Sequence, residues 1–332
     1  MTITGFERPL TVEETRWVVE QAGRAPSIHN TQPWRFRVVA DTFELYADTS
    51  RVLSACDPDG RELVVSCGAA LLNLRIALRK VGFDAKVTLL PDARDPRLLA
   101  RVVATEAEPA RLQDRKTYAA LLRRRTHRGG FEARPVPSSV LVSLQRAAED
   151  EGAELIYIHD PGQRGRVLEL ARRAEVAMST DDRVRAELAD WTPPSGSRRR
   201  DGVPASAYEA EPFRHDDDLP ARDFDQGRGQ GALPPTEPAP AGVVAVLATL
   251  GDVQRDWLMA GQALERVLVT AAEHEVLAAV HSQLTEVDSL RNELRRELYD
   301  SRQPQLLLRL GFASPTPPTP RRPVTDVLDL TS

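Results

Sequence analysis

The chain has 332 residues, 41% hydrophobic and 28% charged, which suffices for two domains or for one unit carried twice around a buried core. Its 44 basic residues against 49 acidic ones leave a formal net charge of −5, which argues against non-specific nucleic-acid binding and leaves only local arginine clusters to consider. The two cysteines, Cys56 and Cys67, make neither a disulfide framework nor a zinc site. No apolar run approaches the ~20 residues of a membrane helix, and the start of the chain lacks the basic-then-apolar order of a signal peptide, so a cytoplasmic protein is expected.

In chain order, Thr11 and Glu14 form a capping box, and Trp17, Val18, Ala22 and Ala25 recur at helical spacing behind it. A polar loop follows, in which Pro26 and Pro33 enclose Ser27, His29, Asn30, Thr31 and Gln32. Each proline fixes its own φ and biases the preceding residue away from helix. Asn and Gln each offer a donor and an acceptor in one plane, which suits the edge of a flat heterocycle. A helix-ending turn capped by Ser27 and Asn30 accounts for the same residues equally well.

Residues 34–39 and 42–47 read as a hairpin, with Phe43, Leu45 and Ala47 on one face. Residues 61–81 form a helix that is apolar on most sides, hence buried on several, and Cys67 lies in it as a small core residue. Gly82 is its expected cap. Strands are expected over 83–90 and 97–104, a helix over 116–123, then the run Arg124-Arg125-Thr126-His127-Arg128-Gly129-Gly130. A helix over 137–149, a strand over 154–159 and a largely helical stretch over 162–191 follow.

Residues 193–240 are rich in proline and glycine, with basic residues at 198–200 set against Asp216, Asp217 and Asp218. So long a stretch without regular elements is expected to be a lid or a flexible insert. Tyr208, Phe213 and Phe224 are exceptions, because a solvated linker rarely keeps aromatics. A continuous apolar strand over 243–250, a second buried helix over 255–276, a charged helix over 288–301, a strand over 304–311 and a proline-rich tail ending in Arg321-Arg322-Pro323 complete the chain.

The two buried helices align: Gly68 falls on Gly261, Ala70 on Ala263, Leu71 on Leu264 and Leu74 on Val267, and the match continues into the strands that follow, with Ala85 on Ala278 and Val87 on Val280. Residues 10–22 likewise resemble 136–148. The chain is therefore expected to hold two copies of one α/β unit, 1–107 and 108–332, the second carrying the insert at 193–240; chance similarity of two apolar helices is the competing account. The copies differ in what they carry. The first has the polar loop and no arginine cluster ahead of its first helix, and the second has the cluster and no such loop.

Ala25-Pro26-Ser27-x-x-Asn30-x-Gln32-Pro33-Trp34-x-Phe36 resembles the FMN-binding loop of the nitroreductase family, and Arg124-Arg125-Thr126-x-Arg128 resembles the opening of ordinary members, where it grips the flavin phosphate and ribityl chain. One chain supplying both halves is similar to the internally duplicated, Acg-like branch of that family, and the likeness covers nearly everything outside the insert. The resemblance implies an α+β, nitroreductase-like fold whose two fused copies mimic the usual homodimer, whether the chain stands alone as a pseudo-dimer or pairs further. It implies FMN held by Ser27, Asn30 and Gln32 at the ring and ribityl hydroxyls, and by Arg124, Arg125, Thr126 and Arg128 at the phosphate. Arg321 and Arg322 fall where members bring a second basic pair to the phosphate, and Ser282, Gln283 and Glu286 fall where a loop meets the reactive edge of the flavin. Read without the resemblance, the arginine run is a solvated helix end and Arg321 and Arg322 are a basic tail.

Trp34 is expected beneath the loop as core, and His29 at the surface or behind the first layer of contacts. No protein acid or base is required, since the flavin carries the hydride and the protein supplies position and electrostatics. No zinc spacing, Walker loop or Ser-His-Asp arrangement stands out, and Gly227-x-Gly229-x-Gly231 is a poor match to a dinucleotide loop. The expected activity is reduction of nitro or quinone-type small aromatic molecules with NAD(P)H as donor. A protein that sequesters FMN beneath its insert is the alternative, and a helical interaction protein whose arginines meet an acidic partner is a third.

Overall fold

The computed structural model describes residues 8–208, 219–232, 242–299, 301–314 and 316–330. Phe213 and the aspartates 216–218 lie outside these residues.

Helix α1 (Val12–Ala22) starts where Thr11 Oγ1 accepts from the Glu14 amide and the Glu14 carboxylate accepts from the Thr11 amide, satisfying two orphan donors reciprocally. Val18, Val19 and Ala22 on one stripe of it are buried. Strands β1 (Trp34–Val39) and β2 (Thr42–Ala47) form the expected antiparallel hairpin, and strict alternation along β1 sends Trp34, Phe36 and Val38 inward. Helix α2 (Arg61–Lys80) begins with its Glu62 and Leu63 amides donating to the Asp57 carboxylate. Strands β3 (Phe83–Leu89) and β4 (Leu98–Glu106) pair antiparallel, and α3 (Leu112–Arg123) follows.

The second half runs α4 (Ser138–Glu149), β5 (Glu154–Tyr157), α5 (Pro161–Thr180), α6 (Asp182–Asp190), β6 (Val243–Thr249), α7 (Gln254–Glu273), β7 (Leu277–His281), α8 (Gln283–Glu286), α9 (Asp288–Glu297) and β8 (Gln303–Gly311). A short strand that the sequence reading does not contain, β9 (Leu328–Leu330), ends the described chain.

Two sheets result. One has the order β3-β4-β2-β1-β9, the other β5-β6-β8-β7. Read from the other edge, the second sheet runs β7-β8-β6-β5, the order in which β3-β4-β2-β1 occur in the first. All pairings within these two sets of four are antiparallel. β6 and β8 are central and almost wholly buried, as strands covered on both faces must be, and β6 is apolar up to its terminal Thr249. β9 pairs parallel to β1, so the end of the second half lies on the sheet of the first.

Between the sheets α2 packs on α7. A Cβ built at Gly68 would stand 2.3 Å from the Leu258 carbonyl oxygen and 2.9 Å from Gly261 Cα, and one at Gly261 would stand 1.9 Å from the Val65 carbonyl oxygen. Only glycine permits backbones this close. α3 closes one end of the helix pair through Leu72, Ile76, Ala120, Leu121, Val269 and Ala272. Among the described residues no helix is long and apolar enough to cross a membrane.

Candidate functional site

The loop between α1 and β1 rests on α2. The Ile28 amide donates to Ser66 Oγ at 3.2 Å, and the Cys67 thiol donates to the Pro33 carbonyl at 3.2 Å. Trp34 is fully buried beneath it, as expected. His29, Asn30 and Gln32 take φ of 45°, 55° and 51°, the left-handed region that costs a non-glycine residue about 1–3 kcal/mol. At Asn30 and Gln32 these conformations are held by hydrogen bonds to distant chain. Asn30 Nδ2 donates to the carbonyls of Gly202 (2.9 Å) and Pro320 (3.1 Å), while its Oδ1 accepts from Arg321 (3.1 Å). Gln32 Nε2 donates to the Arg200 carbonyl at 2.9 Å, and its Oε1 accepts from the Arg322 amide at 2.8 Å. Both amides thus pin residues 200–202 and 320–322 onto the loop. Asn30 still lines a cavity, whereas Gln32, 1% exposed, lines neither of the two described next.

A pocket of about 990 Å³, partly open to solvent, lies between the loop, α2 and α7, the 126–128 segment, the end of β7, and the insert. Ser27, His29, Val65, Leu264, Thr126, Arg128, Ser282 and Gln283 face it, and the insert contributes Tyr208, Ala221, Arg222 and Phe224. A second cavity of about 620 Å³ is lined by Arg24, Asn30, Arg124, Arg125 and Arg321. Pro26, Ser27, Thr126 and Arg128 belong to both, so the two adjoin across these four residues. The Thr126 strand bridge to Ala278 holds the arginine run against β7.

The smaller cavity is strongly electropositive. Arg24, Arg124, Arg125, Arg128 and Arg321 converge on it, and the carboxylate beneath them is Glu265 of α7, fully buried, 3.2 Å from Arg124 Nε. Burial pushes the Glu265 carboxyl up to about 7, with Arg124 opposing. Arg128 and Arg321 are pushed below the usual arginine range, first by loss of water and then by neighbouring guanidinia, Arg124 foremost. Arg125 is lowered for the same reasons, and among the described residues Arg125 Nη1 donates to the carbonyls of Leu122 (2.9 Å) and Arg124 (2.7 Å). Guanidinia crowded without matching carboxylates in a concave, partly dry site focus a field that an anion relieves. Arg322 points elsewhere: its Nη1 donates to the Gln32 carbonyl at 3.0 Å and lies 3.5 Å from the Asp48 carboxylate, so the expected basic pair is divided between an anion site and a structural tie.

At the far end of the larger pocket Arg222 pairs with Glu286 at 2.6 Å, both nearly inaccessible. Arg309 Nε donates to His281 Nε2 at 2.8 Å, which leaves Nδ1–H to donate to the Pro220 carbonyl at 3.3 Å. His281 is thereby neutral, and burial followed by Arg309 holds its pKa well below the usual value. Gln283 donates to Glu175 at 3.2 Å, and Ser282 Oγ accepts from Arg222 at 3.4 Å. The predicted pair at 282–283 therefore reaches the pocket, with its side chains already engaged.

Several lining groups escape the sequence reading. His29, expected at the surface or in a supporting position, is 5% exposed and faces the larger pocket. Arg24 directly precedes the loop, and its signal is only its adjacency. Tyr208 and Phe224 stand out in sequence as aromatics in a polar stretch, and Glu265 as a lone carboxylate in an apolar helix. The glycine run at 227–231 binds no phosphate here, because its amides at Gly229, Gln230 and Gly231 donate to the buried Asp225 carboxylate.

No family model matches the chain. The chain is 34% identical over 325 residues to "Putative NAD(P)H nitroreductase Rv3131" of Mycobacterium tuberculosis, an overlap that spans 96% of this chain and 91% of the relative. It is 29% identical over 326 residues to "Putative NAD(P)H nitroreductase acg" of the same organism, spanning 96% of each. Among solved structures, the FMN and NADPH-dependent nitroreductase NfnB from Sphigopyxis sp. strain HMH aligns with 65% of this chain and 99% of its own at 18% identity, with a TM-score of 0.40.

Proposed function

Because the chain belongs to the nitroreductase family, we propose that it is an FMN-dependent oxidoreductase in which two fused copies, 1–107 and 108–332, build one flavin site. The observation that carries this reading is the junction of an anion cavity with a larger pocket across Ser27, Thr126 and Arg128. A flavin mononucleotide has that bipartite form, a dianionic phosphate joined to a flat, polar ring system. His29 and Tyr208, which line the larger pocket, carry buried polar atoms without a hydrogen-bond partner among the described residues, which suits the same ligand.

The fused-copy reading is supported by the equivalent strand orders and by the helix crossing. The register that lays Gly68 on Gly261 also lays Val65 on Leu258, and in space Gly68 meets Leu258 while Gly261 meets Val65. Residue i touching j while the equivalent of j touches the equivalent of i is the signature of a two-fold interface. The first copy supplies the loop with Arg24, and the second supplies the other arginines, so neither site half is complete alone.

In the proposed roles Arg125, Arg128 and Arg124 receive the phosphate, with Arg321 closing the cavity from the tail and Thr126 and Ser27 adding hydroxyls at the junction. Ser282 and Gln283 face the ring pocket from the opposite end. When bound, flavin would supply the hydride chemistry between an NAD(P)H donor and a nitro or quinone-type aromatic acceptor. The protein's part is to bind, orient and exclude water: Val65 and Leu264 give the pocket an apolar wall, and Glu265 keeps the arginine cluster together by offsetting part of its charge. Two free, buried cysteines suit a reducing cytoplasm.

A second reading, that the protein sequesters FMN and turns over little, is favoured by one observation: Tyr208, Arg222 and Phe224 of the insert line the ring pocket. Anaerobic addition of NADPH to the purified protein distinguishes the two. The oxidoreductase reading predicts a visible flavin spectrum that bleaches. A flavin spectrum that persists supports sequestration, and a protein that stays colourless after reconstitution with FMN contradicts both.

A further inference from the structure

Three elements meet on the ring of Phe224. His29 of the loop stands edge-on to it at 5.8 Å between centroids, Tyr208 of the insert lies 5.9 Å away, and the Arg128 guanidinium lies over it at 5.4 Å. His29 and Tyr208 are 5% and 4% exposed, and both face the larger pocket. Among the described residues, neither ring nitrogen of His29 nor the hydroxyl of Tyr208 finds a hydrogen-bond partner. Buried polar groups are nearly always partnered, and two orphans in one pocket wall mark places where the partner comes from outside the chain.

The chemistry of the two groups defines what they take. Burial, and then Arg222 and Arg128, hold His29 neutral, so its ring offers one donor and one acceptor. The tyrosine hydroxyl offers both from a single atom. Their match is an uncharged ring edge with alternating donors and acceptors, not an anion, which the neighbouring arginine cavity serves. We propose that His29 and Tyr208 are positioning residues that hydrogen-bond the polar edge of the bound flavin ring, and that Tyr208 thereby fastens the described stretch 193–208 to the occupied pocket. This rests on the flavin reading above and adds two residues and a coupling to it: the segment is held closed by the ligand, and the ligand is retained by the segment.

Tyr208→Phe removes only the hydroxyl, and His29→Asn keeps a residue that tolerates the left-handed backbone. Protein loaded with FMN is diluted and FMN release followed by fluorescence, and trypsin cleavage within the exposed residues 198–200 is timed with and without FMN. Each variant is expected to release FMN about tenfold faster, the ~1.4 kcal/mol of one hydrogen bond. FMN is expected to slow cleavage of the wild-type chain strongly and of Tyr208→Phe weakly. The FMN-free Tyr208→Phe chain is expected to melt no lower than the FMN-free wild type, because an orphaned hydroxyl has been removed; a purely structural role would lower both forms. A wild-type chain that takes up no FMN overturns the cofactor reading itself. A wild-type chain that holds FMN, beside a Tyr208→Phe chain with the same release rate and the same protection, overturns this inference alone.

Discussion

Among the described residues, Arg125 has no carboxylate or distant carbonyl to hold, in contrast to Arg124, Arg128 and Arg321. Arg124 is tied to Glu265 and to the Arg24 carbonyl, and Arg321 braces the tail against Asn30 and the carbonyls of Arg24 and Ala25. Arg125 donates only to carbonyls within its own turn. Truncating it should therefore remove a phosphate contact with little harm to the fold. Arg125→Ala is expected to weaken FMN binding at least tenfold, in line with the ~1.5–3 kcal/mol of a hydrogen bond to a charged group. Arg198→Ala, an exposed arginine of the insert, should change it less than about twofold by the same scale. Equal losses in a fluorescence titration would remove the phosphate from this cavity. At this scale the residue types of the site are legible in sequence and their directions are not. The pattern around Ser27 and the run at 124–128 identify the two walls. Whether Gln32 faces a ligand or the amide of Arg322, nearly 300 positions away, depends on long-range packing that no local spacing encodes.

The helix pair α2–α7 sets the distance between the two halves of the site, because α2 carries Ser66 and Cys67 under the loop and α7 carries Glu265 under the arginines. Its closest point is Gly68 against Gly261. Gly261→Ala forces a methyl into the Val65 carbonyl, and an overpacked backbone contact of this kind costs about 1–3 kcal/mol or more. A clear fall in melting temperature is expected, together with weaker FMN retention as the walls separate; an unchanged melting temperature would show that the helices do not cross there. Both helices are legible from sequence, because an apolar pattern on several faces over five turns has no other stable outcome in water. β9 is not legible: three residues after a proline run form a strand only because the edge of β1 is there to receive them. The insert is legible as an exception but not as a wall, since Tyr208 and Phe224 are packed with Leu188, Val203 and Ala207 by tertiary contacts.

Over the whole molecule, the equivalent strand orders, the reciprocal glycine contact and the crossing of β9 to the first sheet support the proposed reading of the chain as two joined copies. On that proposal the loop and the arginine run each occur once, so a second, symmetry-related site would have neither the loop nor the cluster. A true homodimer of this kind would carry two flavins, and the fused chain should carry one. The most direct test is the ratio of FMN to protein after reconstitution, read from flavin absorbance against the native mass of the species. One FMN for each 36.7 kDa chain, whatever the assembly, is the predicted result. Two FMN per chain would mean that both halves are complete sites, and none would mean that the cavity joining Ser27 to Arg128 serves another ligand.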